Sequence, residues 1–526
     1  MHRDNPYLIK KPDFAQLASR YPDFAQFVTI SDEGYASIDF KDASALRSLT
    51  KCLLKEDWDL NVDLREDRLC PTSRKWLIVL VCRLDYLLHL LDLEPYLPSS
   101  SSSRPSRVLD IGTGATAIYP ILLHRLRSDA QITATELDET SYNHAVSVLA
   151  QNSISSQAIN ILHAPSSNPI LFPILSDETS KWDLTICNPP FFGSEEEMRE
   201  GQYGKEEGAH AAPTAAHNEL ITDGGEVDFV GNMIEESLQI GESCRWFTSL
   251  IGKYSSLTPL VDQLRRNKID NYLLKSIKQS KTTRWILGWS YSPIRLPDAL
   301  ARPEEVLSTT SFSRLLPQPN TFSHKPQPAV PVEDLKRKVT DVLHSISIDF
   351  RYPSSDTANC NEDQEKPVIT IRPKLNTWSR SARRAIARQA EQSSDTTPGG
   401  SIDQSNQEEE NSEPLFVARI RFIPPLTPKD FPSVSLDWLE GKDRTIVEGL
   451  WKYILTKTEL IGKKEQVDAG YGGRLGDGKW ERGRGRGRGG GRYIGRGAHS
   501  DEARNRGNEE ESINEKIRYG QRRRLI

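Results

Sequence analysis

Apolar residues change their spacing several times along the chain, and the changes mark out its elements. From Ala43 to Lys55 they recur every three or four positions, the period of an amphipathic helix. From Arg107 onward, short apolar runs alternate with helical stretches. VLDI predicts a strand, followed by a glycine turn and a helix over Ile118–Arg127; ITATEL predicts a second strand, followed by a helix from about Thr140 to Asn152. DLTIC predicts a later strand that stops at Asn188-Pro189-Pro190. A helix over Val230–Gln239, a strand over Trp246–Ile251, a helix over Leu257–Arg266 and a hairpin through Thr283–Tyr291 close the series. This alternation predicts an α/β fold built on a Rossmann-like, doubly wound parallel sheet.

Polar stretches divide the chain. Serine-rich Pro98–Pro105 separates an N-terminal helical extension, 1–95, from the α/β domain, 96–296. Pro297–Pro331, rich in proline, serine and threonine, reads as a linker. A smaller α/β module spans 332–460. It comprises helix Val332–Ser345, strands Ile346–Tyr352 and Val368–Arg372, basic helix Trp378–Gln392, strand Leu415–Ile423 and helix Thr445–Leu460. The acidic insert at 392–413 is expected to be disordered, as is the RG/RGG tail at 461–526, whose composition cannot form a core.

Composition narrows the class. A chain of 526 residues exceeds one ordinary core, which fits this division. The net charge of −5 does not exclude a nucleic-acid partner, because Glu408–Glu410 and the arginine-rich tail are far apart and local charge sets phosphate binding. Cys52, Cys70, Cys82, Cys187, Cys244 and Cys360 form no CxxC pair, which argues against a metal site and a disulfide framework. The opening MHRDNPYLIKKPDF lacks the apolar core of a secretory signal, and the longest apolar run, Trp76–Cys82, is too short to span a bilayer. These features lead us to expect a soluble intracellular protein with no membrane partner.

Two motifs carry chemistry. Asp110-Ile-Gly112-Thr-Gly114 follows a predicted strand and precedes a predicted helix, where glycines permit a tight turn and the helix start presents free N–H groups. Glu136 ends the next strand, where a carboxylate can accept both hydroxyls of a ribose; the plainer reading is a solvated strand-end charge. With neither a Walker lysine nor GxGxxG, the pattern favours S-adenosylmethionine over a nucleoside triphosphate or NAD. The second motif, Asn188-Pro189-Pro190-Phe191-Phe192, lies at the carboxyl end of a later strand, the edge where such sheets bind ligands.

Methylating the exocyclic amine of adenine requires two acceptors, because the nitrogen lone pair is delocalised into the ring. The Asn188 side-chain oxygen, which also borders the cofactor, and the Pro189 carbonyl can take the amine hydrogens. Pro189 and Pro190 stiffen the turn, and Phe191 offers a face for stacking. The alternative is a proline turn with its phenylalanines in the core.

The segments KKPDFAQLASRYPDF, DIGTGATAIYP, ATELD, NPPFF, GGEVDFV, SCRWFTSLIGKYSSL and TTRWILGW resemble the methyltransferase-like protein 16 family over about residues 5–292. The resemblance implies a Rossmann-like catalytic domain, S-adenosylmethionine as donor, and adenine-N6 methylation of U6 small nuclear RNA in the nucleus, with the cytoplasm as a further location. It also implies an N-terminal module that holds structured RNA. By the same resemblance, Gly112 and Glu136 match cofactor-binding positions, Asn188 to Phe191 match the catalytic tetrapeptide, and Arg83 matches a cofactor-contacting arginine. An ordinary exposed helical charge is the alternative for Arg83.

The chain departs from the family at SRKWLIVLVC, between Thr72 and Arg83, which reads as a buried strand or an error in the gene model. The acidic loop after the motif, Gly193–Gly208, weakens any transfer of RNA contacts to it. Arg380, Arg383, Arg384 and Arg388 have helical spacing suited to a phosphate backbone, or form a solvated face. Arg482, Arg484, Arg486 and Arg488 lie in a segment of the type that binds RNA electrostatically. Ribosomal RNA methylation and an RNA-binding scaffold with residual fold are the competing functions.

Overall fold

The structure is a computed structural model that describes residues 1–68, 78–97, 106–164, 169–177, 179–190, 192–198, 221–279, 282–303, 310–352, 368–393, 413–425, 427 and 430–460. Fourteen strands are found among them. A small hairpin joins β1 (Val28–Ile30) to β2 (Ala36–Ile38). The main sheet contains β3 (Arg107–Ile111), β4 (Gln131–Glu136), β5 (Ile159–His163), β6 (Trp182–Cys187), β7 (Cys244–Ile251), β8 (Tyr272–Gln279) and β9 (Thr282–Trp289). Its order is β5-β4-β3-β6-β7-β9-β8, parallel except for the antiparallel β7-β9-β8 end.

Alternation within each strand serves two cores. Val108, Ile132, Ala134, Leu184 and Ile186 face one side, whereas Leu109, Ile111 and Cys187 face the other. Both faces are therefore covered, as the doubly wound reading requires. The first core also holds Tyr7, Phe24, Leu46, Leu53, Leu84 and Leu87, so packing is continuous across the expected boundary at residue 95. The second receives Val230, Met233, Leu257 and Leu260 from helices Gly225–Ile240 and Tyr254–Arg266.

The apolar stretch before Arg83 is a correction. Ile78–Leu91 is helical, not a strand. Leu80, Val81, Leu84, Tyr86, Leu87 and Leu90 are buried on it, and a helix enclosed on most sides shows no clear period in sequence. Residues 69–77 lie outside the described set.

The second sheet contains β10 (Thr321–His324), β11 (Phe350–Arg351), β12 (Val368–Ile371), β13 (Phe416–Ile423) and β14 (Ser433–Gly441), all antiparallel in the order β10-β14-β13-β12-β11. Helices Val332–Ser345 and Arg444–Lys457 share its core. The expected strand Ile346–Tyr352 shrinks to β11, because Ser347 takes φ +56° and breaks the extended run. Pro297–Pro331 is not a free linker. Phe312, Leu315 and Leu316 bury in the second core of the main sheet, and β10 pairs with β14. A bridge between Ile294 and Glu440 and the Arg295 N–H bond to the Leu439 carbonyl, 2.9 Å, tie this module to the main sheet. The helix Arg380–Ser393 continues to the edge of the insert, whose residues 394–412 lie outside the described set.

Candidate functional site

β3 and β6 are neighbours where the strand order reverses: the chain runs from β3 outward to β4 and β5, then returns to β3's other side as β6. Loops leaving the carboxyl ends of such a pair diverge and open a crevice. Ile111 and Cys187 are partners across the two strands, so Gly112 and Asn188, one residue on, leave the sheet side by side. The crevice measures about 590 Å³, within the size range of small-ligand sites. Gly112, Gly114, Glu136, Arg83, Asn188, Pro189 and Pro190 all line it.

Gly112 and Gly114 have φ +67° and +68°, and a Cβ on either would meet nothing within 4 Å. Left-handed backbone, not crowding, is what requires glycine here. Glu136 is buried, and its carboxylate accepts the N–H groups of Gly114 (2.7 Å), Leu137 (3.0 Å) and Asp138 (2.9 Å). It therefore joins the glycine turn to the loop after β4, beyond the solvated-charge reading. Asp110 does not line the crevice but is buried next to it, and burial pushes its carboxyl up to about 7. Thr113 and Arg83 pull against that shift, and the Glu136 charge adds to it.

Arg83 reaches the crevice from the Ile78–Leu91 helix, its guanidinium carbon 5.5 Å from the Tyr119 ring centroid. Asn188 and Pro190 are half-buried and Pro189 is buried. Phe191 lies outside the described residues. Behind the motif, the fully buried Tyr86 hydroxyl shares a 2.8 Å hydrogen bond with the Thr248 hydroxyl and stands 3.5 Å from the Cys187 amide. Tyr86 thus fixes the end of β6 from which Asn188 projects. Its signal in the sequence was a tyrosine in an apolar helix, whose hydroxyl needs a buried partner.

Arg68 is another lining residue that sequence reasoning missed. It bonds Asp138 at 3.0 Å and Ser141 at 3.0 Å, anchoring the N-terminal segment to the crevice rim. Arg380, Arg383, Arg384 and Arg388 are exposed on the second module's helix and do not line the crevice; Arg383 sits 5.1 Å from the Tyr453 ring. Arg482, Arg484, Arg486 and Arg488 lie outside the described residues. Among the described residues, the one group with metal-ligand spacing is His2, His89 and Asp92. Asp92 is already engaged there by His2 (3.2 Å) and Lys275 (3.6 Å), away from the crevice lining.

The crevice therefore combines the Arg83 cation, a carboxylate fixed beside a glycine turn, and the Asn188–Pro190 turn that leaves the adjacent strand. The profile of a family described as RNA methyltransferase matches residues 1–293, more than half of the chain. The chain belongs to that family. Among similar proteins, this family member is 32% identical over 357 residues to a U6 small nuclear RNA (adenine-(43)-N(6))-methyltransferase of Schizosaccharomyces pombe, covering 68% of this chain and 84% of the relative. It is 32% identical over 381 residues to the Xenopus laevis RNA N(6)-adenosine-methyltransferase mettl16, covering 70% of this chain and 66% of the relative. A crystal structure of the N-terminal domain of human METTL16 in complex with SAH is 36% identical, with a TM-score of 0.44, over 55% of this chain and 98% of that one. The chain spans 52% of the length of the human METTL16 sequence. No helix among the described residues is long and apolar enough to cross a membrane.

Proposed function

We propose that this family member transfers a methyl group from S-adenosylmethionine to the N6 of an adenine in structured RNA, with U6 small nuclear RNA as substrate and the nucleus as its location. The observation that carries the reading is the exit of Gly112 and Asn188 from adjacent, in-register strands into one crevice. A cofactor with a nucleoside end and an amino-acid end fits the residues present. Glu136 suits the ribose hydroxyls, Arg83 the carboxylate, and the left-handed glycine turn allows close approach. Thr113, whose hydroxyl is buried, lines the crevice between the two glycines and adds a polar group to the turn. When bound, S-adenosylmethionine supplies an electrophilic methyl group.

The chain's own residues then act on the amine. The Asn188 side-chain oxygen and the Pro189 carbonyl accept its two hydrogens and turn the lone pair out of the ring plane. Fixed acceptors need no reorganisation as charge develops on the amine, which is where such groups lower a barrier. The surplus proton leaves to water, so no general base is required. Target choice follows the Schizosaccharomyces pombe relative, whose name specifies U6 small nuclear RNA. In this reading residues 1–95 and the second module hold the RNA, with Arg380, Arg384 and Arg388 against phosphates and Arg383 set on the Tyr453 ring instead.

A radiolabelled methyl-transfer assay on total RNA, followed by nucleoside analysis, tests this. Label should appear in N6-methyladenosine of U6 small nuclear RNA. Label in ribosomal RNA would reject the substrate, and no transfer to any RNA would reject the activity.

A further inference from the structure

We infer that Lys253 and Glu197 form a brace that holds Phe192 and Gly193, just past the Asn188–Pro190 turn, in their working position, making both positioning residues for methyl transfer. The inference rests on the reading of Asn188–Phe191 as the acceptor site. Lys253 follows β7, and its ammonium lies 4.8 Å from the Phe192 ring centroid. The same ammonium pairs with Glu197 Oε1, while Glu197 Oε2 accepts the Gly193 N–H at 2.7 Å. One ion pair thus grips both the ring of Phe192 and the backbone immediately after it.

The base of the brace is fixed independently. Buried Glu226 accepts the N–H groups of Gly252 and Lys253, the latter at 3.2 Å, so the Lys253 backbone is anchored to the helix that starts at Gly225. Phe192 is held from the other side by the Thr222 N–H on its carbonyl, 3.0 Å. A Cβ on Gly225 would come within 3.0 Å of the Gly193 nitrogen, so the two chain segments are in direct backbone contact. The acidic loop after the motif, to which RNA contacts were not carried over, therefore contributes one carboxylate, Glu197, to the structure of the site. The Gly193 N–H and the neighbouring Lys253 hold that carboxyl below its usual range, so Glu197 carries its charge at neutral pH.

A brace and a masked phosphate site make opposite forecasts. If Glu197 merely covered Lys253 until RNA arrived, Glu197→Gln would lower the RNA KM and Lys253→Met would raise it. For a brace both variants lower kcat in the same direction, by about 10–100-fold, the scale of small misplacements at a reacting centre. RNA KM and cofactor affinity stay within about 3-fold, and Lys253→Arg restores most of kcat. Hydrogen exchange at the Gly193 amide gives a readout independent of activity: protection seen in the wild type should fall at least about 10-fold in both variants. Opposite KM shifts, or unchanged Gly193 exchange, would overturn the brace. Exchange that responds as expected in a protein that methylates no RNA would leave the brace standing and count against the functional reading instead.

Discussion

The Arg295 guanidinium lies 3.9 Å from the ring centroid of Trp438, joining the end of the catalytic domain to the second sheet. Arg295 is 4% exposed, donates to the Gly441 carbonyl at 3.0 Å, and pairs with Asp270 at 2.8 Å. Gly441, at φ +139°, leaves no room for a side chain: a Cβ there would come within 2.8 Å of Phe416 and 2.9 Å of the Trp438 indole nitrogen. Arginine's planar fork can stack and hydrogen-bond at once, which lysine cannot. Arg295→Ala should therefore destabilise the docked module by about 2–4 kcal/mol, from the lost stack and the buried carbonyl left unpaired. Arg295→Lys should rescue little. Thermal unfolding should separate into two steps in the alanine variant; a single transition at the wild-type midpoint would show that the stack contributes nothing.

Asn188→Ala removes one of the two fixed acceptors and leaves the crevice open. It should lower kcat by about 10²–10³-fold, the measured scale for one oriented polar group at a developing charge. RNA affinity should be nearly unchanged, since Asn188 carries no charge with which to neutralise a phosphate. Single-turnover methylation with parallel RNA-binding measurements checks both halves. Wild-type turnover in the variant would remove this motif from the chemistry.

Glu136→Ala has two expected consequences. It removes a carboxylate suited to a ribose, and it frees the Gly114, Leu137 and Asp138 amides that the carboxylate now holds. Cofactor binding should weaken by about 1.5–3 kcal/mol, the range for hydrogen bonds to charged groups. Glu136→Gln should retain part of the turn and recover part of the affinity. Calorimetry that finds no change for the alanine variant would confine Glu136 to a structural role.

The crevice was legible because both motifs sit at strand ends, and a strand followed by a glycine or proline turn leaves its mark in a single sequence. The packing around it was less legible. The stretch Ser73–Cys82 read as a buried strand or a gene-model error; its described part, from Ile78, belongs to the helix Ile78–Leu91, which is buried on most sides and so shows no helical period there. β14 was overlooked because Asp437 and Glu440 interrupt its apolar run; in the structure Asp437 is satisfied across the sheet by Arg421. Thr321–His324 looked like linker because its register is supplied by β14, more than 100 residues away. Tyr86, Lys253 and Arg295 act through partners remote in sequence, and no local pattern announces such a partner.

Asp110 gives the fold a pH dependence of definite sign. Its ordinary pKa is 3.8, and burial raises it to about 7 in the folded protein. The folded state then holds the proton more tightly than the unfolded chain, so the contribution is complete below about pH 4 and is lost as pH rises through 7. Asp110→Asn removes this titration. The stability of the variant relative to wild type should therefore rise between pH 5 and pH 8 by at least about 1.4 kcal/mol, the equivalent of one pKa unit. Urea unfolding of the free protein at the two pH values measures the difference, and equal differences at both would mean that Asp110 is ionised throughout.

The second module supplies the last prediction. Arg380, Arg384 and Arg388 follow one another at four-residue intervals on helix Arg380–Ser393 and are exposed, so they form a row along one face. Arg383 differs, since its guanidinium carbon lies 5.1 Å from the Tyr453 ring centroid. A row of exposed arginines can follow a phosphate backbone without reading bases, and each neutralised phosphate contributes about −0.7 to −0.9 to the log–log salt slope of binding. Replacing Arg380, Arg384 and Arg388 together by glutamine should flatten that slope by about 2–3 and raise the RNA KM at physiological salt. Because the row does not line the crevice, kcat at saturating RNA should stay near wild type, and preference for the cognate RNA over a scrambled hairpin should survive. Arg383→Gln alone should change the melting temperature more than the slope. Steady-state methylation across a salt series, on both RNAs, distinguishes the outcomes. A triple variant with an unchanged slope would make the row a solvated face, and one that lost discrimination would make it part of the specific recognition surface.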